Sequence, residues 1–140
     1  MTLQSGPTFF SFPADALAQS SEAAVVAAGL MAKSPSVSPK YLYGPLGSRL
    51  FEAITELPEY YPTRTERALL EAHRDSVARA AGSAPVLIDL GAGNCEKARS
   101  LFQSLQPSQY VAVDMSVDFL RQSLSQLQRD FPQLEMLGIG

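Results

Sequence analysis

Apolar positions in the second half of the chain switch between two spacings. Residues 86–88 (Val-Leu-Ile) form a short apolar run, followed by Asp89, Leu90 and the string Gly91-Ala92-Gly93. An apolar run of this length that ends in a glycine turn predicts a buried strand. From 95 to 105 the period becomes helical, with Ala98, Leu101, Phe102 and Leu105 on one face. Residues 110–113 predict a second strand, ending at Asp114. Ser116 is placed to cap the next helix, in which Val117, Leu120, Leu124, Leu127 and Phe131 recur at alternating spacings of three and four. Pro132 closes that helix, and residues 134–139 predict a third strand. Strands alternating with helices predict βαβ units and a parallel sheet, an α/β fold.

The first half is less regular. Residues 1–22 read as a lead-in whose Phe9, Phe10 and Phe12 pack it onto a core. Residues 21–31 predict a short helix, capped by Ser20 or Ser21 with Glu22 in its first turn. The Ser/Pro-rich stretch 33–39 predicts a loop or linker. Ser48 is placed to cap a helix reaching Leu57, with Leu50, Phe51, Ile54 and Leu57 on its apolar face, and Pro58 stops it. Thr63-Arg64-Thr65-Glu66 fits a capping box. It opens a helix with Leu69, Leu70, His73 and Val77 in one stripe, ending at 82–85. His73, the single histidine, is expected to flank that packed face. Three segments result: a lead-in and linker at 1–42, a helical segment at 43–85, and the strand–helix repeat at 86–140.

Composition narrows the function classes. The 140 residues suit about one domain, and 46% hydrophobic with 18% charged residues suit a soluble globular protein. The formal net charge of -3, with no basic run longer than a pair, gives no sign of a general nucleic-acid surface. Residues 23–32 are apolar but too short to span a bilayer. The first basic residue, Lys33, follows that run, so it does not fit a secretory signal. Cys95 is the only cysteine, which rules out an internal disulfide and suits a reducing, cytoplasmic setting.

The chemistry concentrates at the carboxyl ends of the predicted strands. Gly91 and Gly93 let a ligand approach the backbone closely. Asp114 follows the second strand about 20 residues on, where an acid grips a ribose diol. Asp89 stands just before the turn. A dinucleotide fingerprint needs a small residue where this chain has Glu96, and that acid would repel a pyrophosphate at the helix start. No G-K-[ST] follows, which excludes a P-loop. The acid-x-G-x-G turn with a later ribose acid fits S-adenosylmethionine better: a ligand with a sulfonium, an amine and a carboxylate but no phosphate. Lys97 in the first helical turn opposes the helix dipole. It is expected to answer Glu96 or an anionic ligand, for which a carboxylate would suit. Cys95 is read as a small filler. Tyr60 and Tyr61, adjacent and flanked by prolines, are expected either to split into one buried and one exposed ring or to line a cleft together.

Two strings then become recognisable. Leu57-Pro-Glu-Tyr-Tyr-Pro-Thr-Arg64 and Leu90-Gly-Ala-Gly-Asn-Cys-Glu-Lys97 resemble the histidine-specific, S-adenosylmethionine-dependent N-methyltransferases of ergothioneine biosynthesis. Tyr43-Gly-x-x-Gly-Ser-x-Leu-Phe51 is similar to that family's Y-D-x-x-G-S-x-L-F segment, with Gly44 where the family carries an acid. The resemblance covers about residues 29–140. It implies the first three strands of a Rossmann-like class I methyltransferase sheet, with a helical N-terminal segment. It also implies methylation of an amino acid's α-amino group, most directly histidine to its trimethyl betaine, while relatives methylate other amino acids. By position it implies Gly91, Lys97 and Asp114 for the cofactor; with Asp89 and Gly93 of the turn they form the candidate cofactor set. Tyr43 and Tyr60 are implied for the amino acid, which favours a cleft role for the tyrosine corner. No covalent catalytic residue and no metal are implied. The family's chains run well past this end point, and in the strand order 3-2-1-4-5 the neighbour of the first strand is missing. The chain is therefore expected to be a fragment or one piece of a complex, with catalysis compromised. The alternative expectation is a non-catalytic interaction module whose open sheet edge pairs with a partner or a second copy.

Overall fold

The computed structural model describes residues 6–12 and 16–140. Four strands form one sheet in the order β1-β4-β3-β2. They are β1 (Thr8–Phe10), β2 (Val86–Leu90), β3 (Gln109–Val113) and β4 (Glu135–Ile139). Every pairing is parallel, with Leu87 opposite Tyr110 and Tyr110 opposite Met136. The helices are α1 (Ala16–Leu30), α2 (Pro45–Thr55), α3 (Tyr61–Ala81), α4 (Glu96–Leu105) and α5 (Val117–Asp130), with a 3-10 turn at Pro39–Leu42. The three expected strands and the α/β class are present, and among the described residues no strand pairs with the outer edge of β2.

The core lies between one face of the sheet and the apolar faces of α4 and α5. Ala98, Leu101, Phe102 and Leu105 of α4 are buried, as are Leu120, Leu124 and Leu127 of α5. Tyr110, Ala112 and Met136 meet them from the sheet. The Phe102 ring stacks edge-on to both Tyr110 and Phe131. Alternation along a strand sends the intervening residues to the opposite face. There Val86, Ile88 and Leu90 are 53%, 60% and 76% exposed, so no described element covers that side of β2.

Several boundaries differ from those expected. A fourth strand, β1, arises in the lead-in, where three residues of edge pairing leave too little pattern to read. The Phe9 ring lies over Gly138, where an added Cβ would collide with two ring carbons. The Arg121 guanidinium stacks on the same ring, 4.4 Å from its centroid. Helix α1 begins at Ala16, ahead of the expected serine caps. Helix α2 starts at Pro45 with Gly44 as its cap, because Pro pre-sets the first helical φ. Ser48 therefore lies inside the helix. For the same reason α3 starts at Tyr61–Pro62, and Thr63 makes no capping bond. The apolar faces read for α2 and α3 stay largely open: Leu50, Ile54 and Leu57 are exposed, as are Leu69 and Val77. Their periodicity is real, but only part of each face finds a neighbour among the described residues: Phe51 meets two tyrosine rings, and Leu70 is half-buried.

Candidate cofactor and amino-acid site

The site is assembled where three strands end. The carbonyl of Val113, at the end of β3, accepts N–H bonds from Gly91 (2.8 Å) and Ala92 (3.0 Å). The turn after β2 is thereby tied to its neighbour strand. Gly91 (φ +76°) and Gly93 (φ +55°) take left-handed conformations that favour glycine, and an added Cβ at either would meet nothing within 4 Å. The space over the turn is open. Cys95 also has a left-handed φ of 63° and caps α4.

Asp114 holds this turn from the next strand. Its Oδ2 accepts the Gly93 N–H at 2.8 Å, and its Oδ1 accepts the Ser116 N–H at 2.8 Å. The Asp114 N–H in turn reaches the Ile139 carbonyl at 3.1 Å, which joins β4 to the site. Asp89 is buried beneath the turn. The Tyr110 hydroxyl donates to its Oδ2 at 3.2 Å, and Lys97 Nζ stands 3.9 Å from its Oδ1.

Lys97 also faces Glu66 of α3 at 3.7 Å, while Glu96 pairs with Arg67 at 3.8 Å. The cation at the helix start is thus offset by Asp89 and Glu66, and Glu96 is not its partner. Both Lys97 distances exceed a direct hydrogen bond, so its ammonium donors are not locked. Cys95 is fully buried, and burial pushes its thiol up to about 11. Burial raises the Tyr110 phenol well above its usual range. Burial disfavours the charged form of both groups, which fits Cys95 as a packed side chain.

The tyrosines come together through an intermediary. Phe51 of α2 meets Tyr43 edge-on at 6.1 Å and Tyr60 edge-on at 5.8 Å. Tyr60 is half-buried and Tyr61 is 67% exposed, so the adjacent pair splits. Arg64 locks the corner. Its guanidinium donates to the carbonyls of Leu57 (2.9 Å) and Pro58 (2.6 Å), with Tyr60 at 3.5 Å. Three carbonyls turned toward one planar fork explain an arginine just past the prolines. The sequence alone assigns Arg64 no such role, because the carbonyls it reaches lie in the irregular turn between α2 and α3.

An open cleft of about 1600 Å³ connects the two parts. Tyr43, Phe51, the 91–93 turn, Lys97 and Asp114 line it, together with Glu52 and Glu66. Tyr60 packs on Phe51 without lining the cleft, and Asp89 is not on its wall either. Asn94 donates to Glu52 at 3.2 Å across the gap between the turn and α2. Among the described residues, no His, Cys, Asp or Glu group could hold a metal ion, and no helix is long and apolar enough to cross a membrane.

Comparison with known proteins places the chain in a family. The profile described as "Histidine-specific methyltransferase, SAM-dependent" matches residues 21–140. The histidine N-alpha-methyltransferase of Mycolicibacterium smegmatis is 37% identical over 115 residues, covering 79% of this chain and 36% of that protein. Ergothioneine biosynthesis protein 1 of Neurospora crassa is 37% identical over 90 residues, covering 61% of this chain and 10% of that protein. The 4-dimethylallyltryptophan N-methyltransferase easF of Claviceps purpurea is 26% identical over 116 residues, covering 79% and 34%. The chain spans about a third of the length of the first curated relatives it matches. Since the matched stretch runs from α1 through β4 and takes in both the glycine turn and the tyrosine corner, the chain belongs to the histidine-specific, S-adenosylmethionine-dependent methyltransferase family.

Proposed function

We propose that this chain supplies the cofactor wall and part of the amino-acid wall of an enzyme that methylates the α-amino group of histidine to its trimethyl betaine, hercynine. The observation that carries the reading is the shared cleft: the tyrosine side and the glycine turn with Asp114 open into one space. In this proposal residues 43–85 serve the amino acid, residues 86–140 serve the cofactor, and residues 1–42 form the lead-in. A cytoplasmic setting goes with it.

The residues present fit S-adenosylmethionine. A carboxylate has about four lone-pair sites, and Asp114 spends two on backbone N–H groups. Two are left for a ribose diol. Gly91 and Gly93 keep the floor of the turn free of side chains. Lys97, held by Asp89 and Glu66, faces a carboxylate. When bound, S-adenosylmethionine supplies a sulfonium methyl for in-line transfer to a neutral amine. Tyr43 and Tyr60, set by Phe51 and Arg64, orient the amino acid so that its lone pair is aimed and its motion restricted.

Calorimetric titration of the chain with S-adenosylmethionine, followed by a methyl-transfer assay on histidine and on tryptophan derivatives, tests this. Binding that weakens in Asp114→Ala supports the cofactor wall, and preference for histidine supports the substrate. No binding by a folded chain would overturn the reading. A second reading rests on the exposed Val86, Ile88 and Leu90 at the open β2 edge. There the chain is a non-catalytic module that pairs with another chain or itself. A monomer across concentrations in size-exclusion chromatography with light scattering would count against self-association.

A further inference from the structure

The contacts between α2 and the loop after β3 center on two serines in the wall of the cleft. Ser48 is only 6% exposed, although it lies on a helix whose apolar neighbours are open to solvent. Its Oγ lies 3.0 Å from the Oγ of Ser116. The Ser116 hydroxyl donates to the Tyr43 carbonyl at 2.7 Å, which uses its single proton. Ser48 is then the donor to Ser116, and its own 3.5 Å approach to the Tyr43 carbonyl is secondary. Ser116 also gives its backbone N–H to Asp114 Oδ1 at 2.8 Å. Gly47 makes the close approach feasible, since a Cβ there would collide with the Leu42 carbonyl oxygen. One residue therefore touches the carboxylate read for the cofactor and the backbone of the tyrosine read for the amino acid.

We propose that Ser116, backed by Ser48, is a positioning residue that couples the two ligand sites, so that filling the cofactor side fixes the place of Tyr43. This rests on the function proposed above. The two contacts are chemically separable. Asp114 is held by the Ser116 main chain, whereas Tyr43 is held by the hydroxyl. Ser116→Ala keeps the first and removes the second, and Ser116→Thr restores the hydroxyl. Ser48→Ala removes only the support from behind.

Amide hydrogen exchange on the whole chain tests the coupling, with S-adenosylhomocysteine as a probe that cannot transfer a methyl. Without probe, Ser116→Ala is expected to speed exchange at Tyr43, Gly44 and residues 46–51 about tenfold. The core amides of β3 should stay unchanged, which confirms that the variant is folded. With saturating probe, the wild type should slow exchange both at 91–97 and at 43–51. Ser116→Ala should slow 91–97 equally while losing the effect at 43–51. Ser116→Thr should regain it, and Ser48→Ala should fall between. Protection at 91–97 of the wild type without any at 43–51 would overturn the coupling and leave the cofactor reading standing. Full protection at 43–51 in Ser116→Ala would overturn the role of the hydroxyl. No protection anywhere in a folded wild type would overturn the cofactor reading, and the coupling with it.

Discussion

Replacing Asp114 by asparagine separates two jobs that one carboxylate performs. In the wild type both carboxylate oxygens accept backbone N–H bonds at 2.8 Å, from Gly93 and from Ser116. An amide has one oxygen, so whichever way the Asp114→Asn side chain turns, one backbone N–H faces an NH2 group. A hydrogen bond to a charged acceptor contributes about 1.5–3 kcal/mol, and the half-buried position argues for the lower end. A loss of about 1.5 kcal/mol is expected. Unfolding entropy of about 2.1 cal/mol/K per residue gives roughly 0.3 kcal/mol/K for a chain of this size, so Tm should fall by about 5 °C. The cofactor side should lose more than stability accounts for, because one remaining oxygen cannot serve both the turn and a ribose diol. Differential scanning calorimetry reads the first effect, and isothermal titration with S-adenosylhomocysteine well below the variant's Tm reads the second. A variant that melts within about 1 °C of the wild type would show that Asp114 does not brace the turn. Unchanged affinity would remove Asp114 from the cofactor site.

Other outcomes follow from particular contacts. Burial holds the Cys95 thiol up to about 11, so it contributes stability that is full below the unfolded thiol's pKa of about 8.5 and is lost as pH rises toward 11; the raised Tyr110 phenol adds a loss that begins only near the unfolded phenol's pKa of about 10. Urea melts at about pH 8 and about pH 10.5 should show a loss of a few kcal/mol, and rapid reaction of native Cys95 with a thiol reagent at the lower pH would contradict its burial. Gly138→Ala should push the Phe9 ring aside and cost about 1–2 kcal/mol, read as faster amide exchange in β1 with β2 and β3 unchanged. Arg64→Lys trades a planar fork for a point charge and should cost about 1 kcal/mol, since the bonds lost are solvent-exposed. Near-ultraviolet circular dichroism, which reports tyrosine in a chain without tryptophan, should weaken as Tyr60 loosens from Phe51.

Much of the candidate cofactor side was legible because it is local. A run of apolar residues, a pair of glycines and an acid after the next strand are all set within short stretches of chain. The buried stripe of α5 was legible for a similar reason: Leu120, Leu124 and Leu127 declare their face by spacing alone. The helix starts of α2 and α3 were misplaced where proline competes with serine or threonine. A residue with φ already fixed needs no side-chain cap, which freed Ser48 for another partner. The short β1 strand was missed because its pairing is an edge contact decided by β4.

By itself the sequence determined the alternation of strands and helices, the glycine turn, the position of Asp114 and the family to which the tyrosine corner points. These depend on residues close together in the chain, whose conformational preferences act without distant help. Only the tertiary structure decided which charges meet. Lys97 faces Asp89 and Glu66 instead of Glu96, Phe51 stands between Tyr43 and Tyr60, and Ser116 reaches back to the Tyr43 carbonyl. Each joins segments far apart along the chain. Such a contact has no signature in spacing, because its geometry is set by how the sheet brings the strand ends and the preceding helices together.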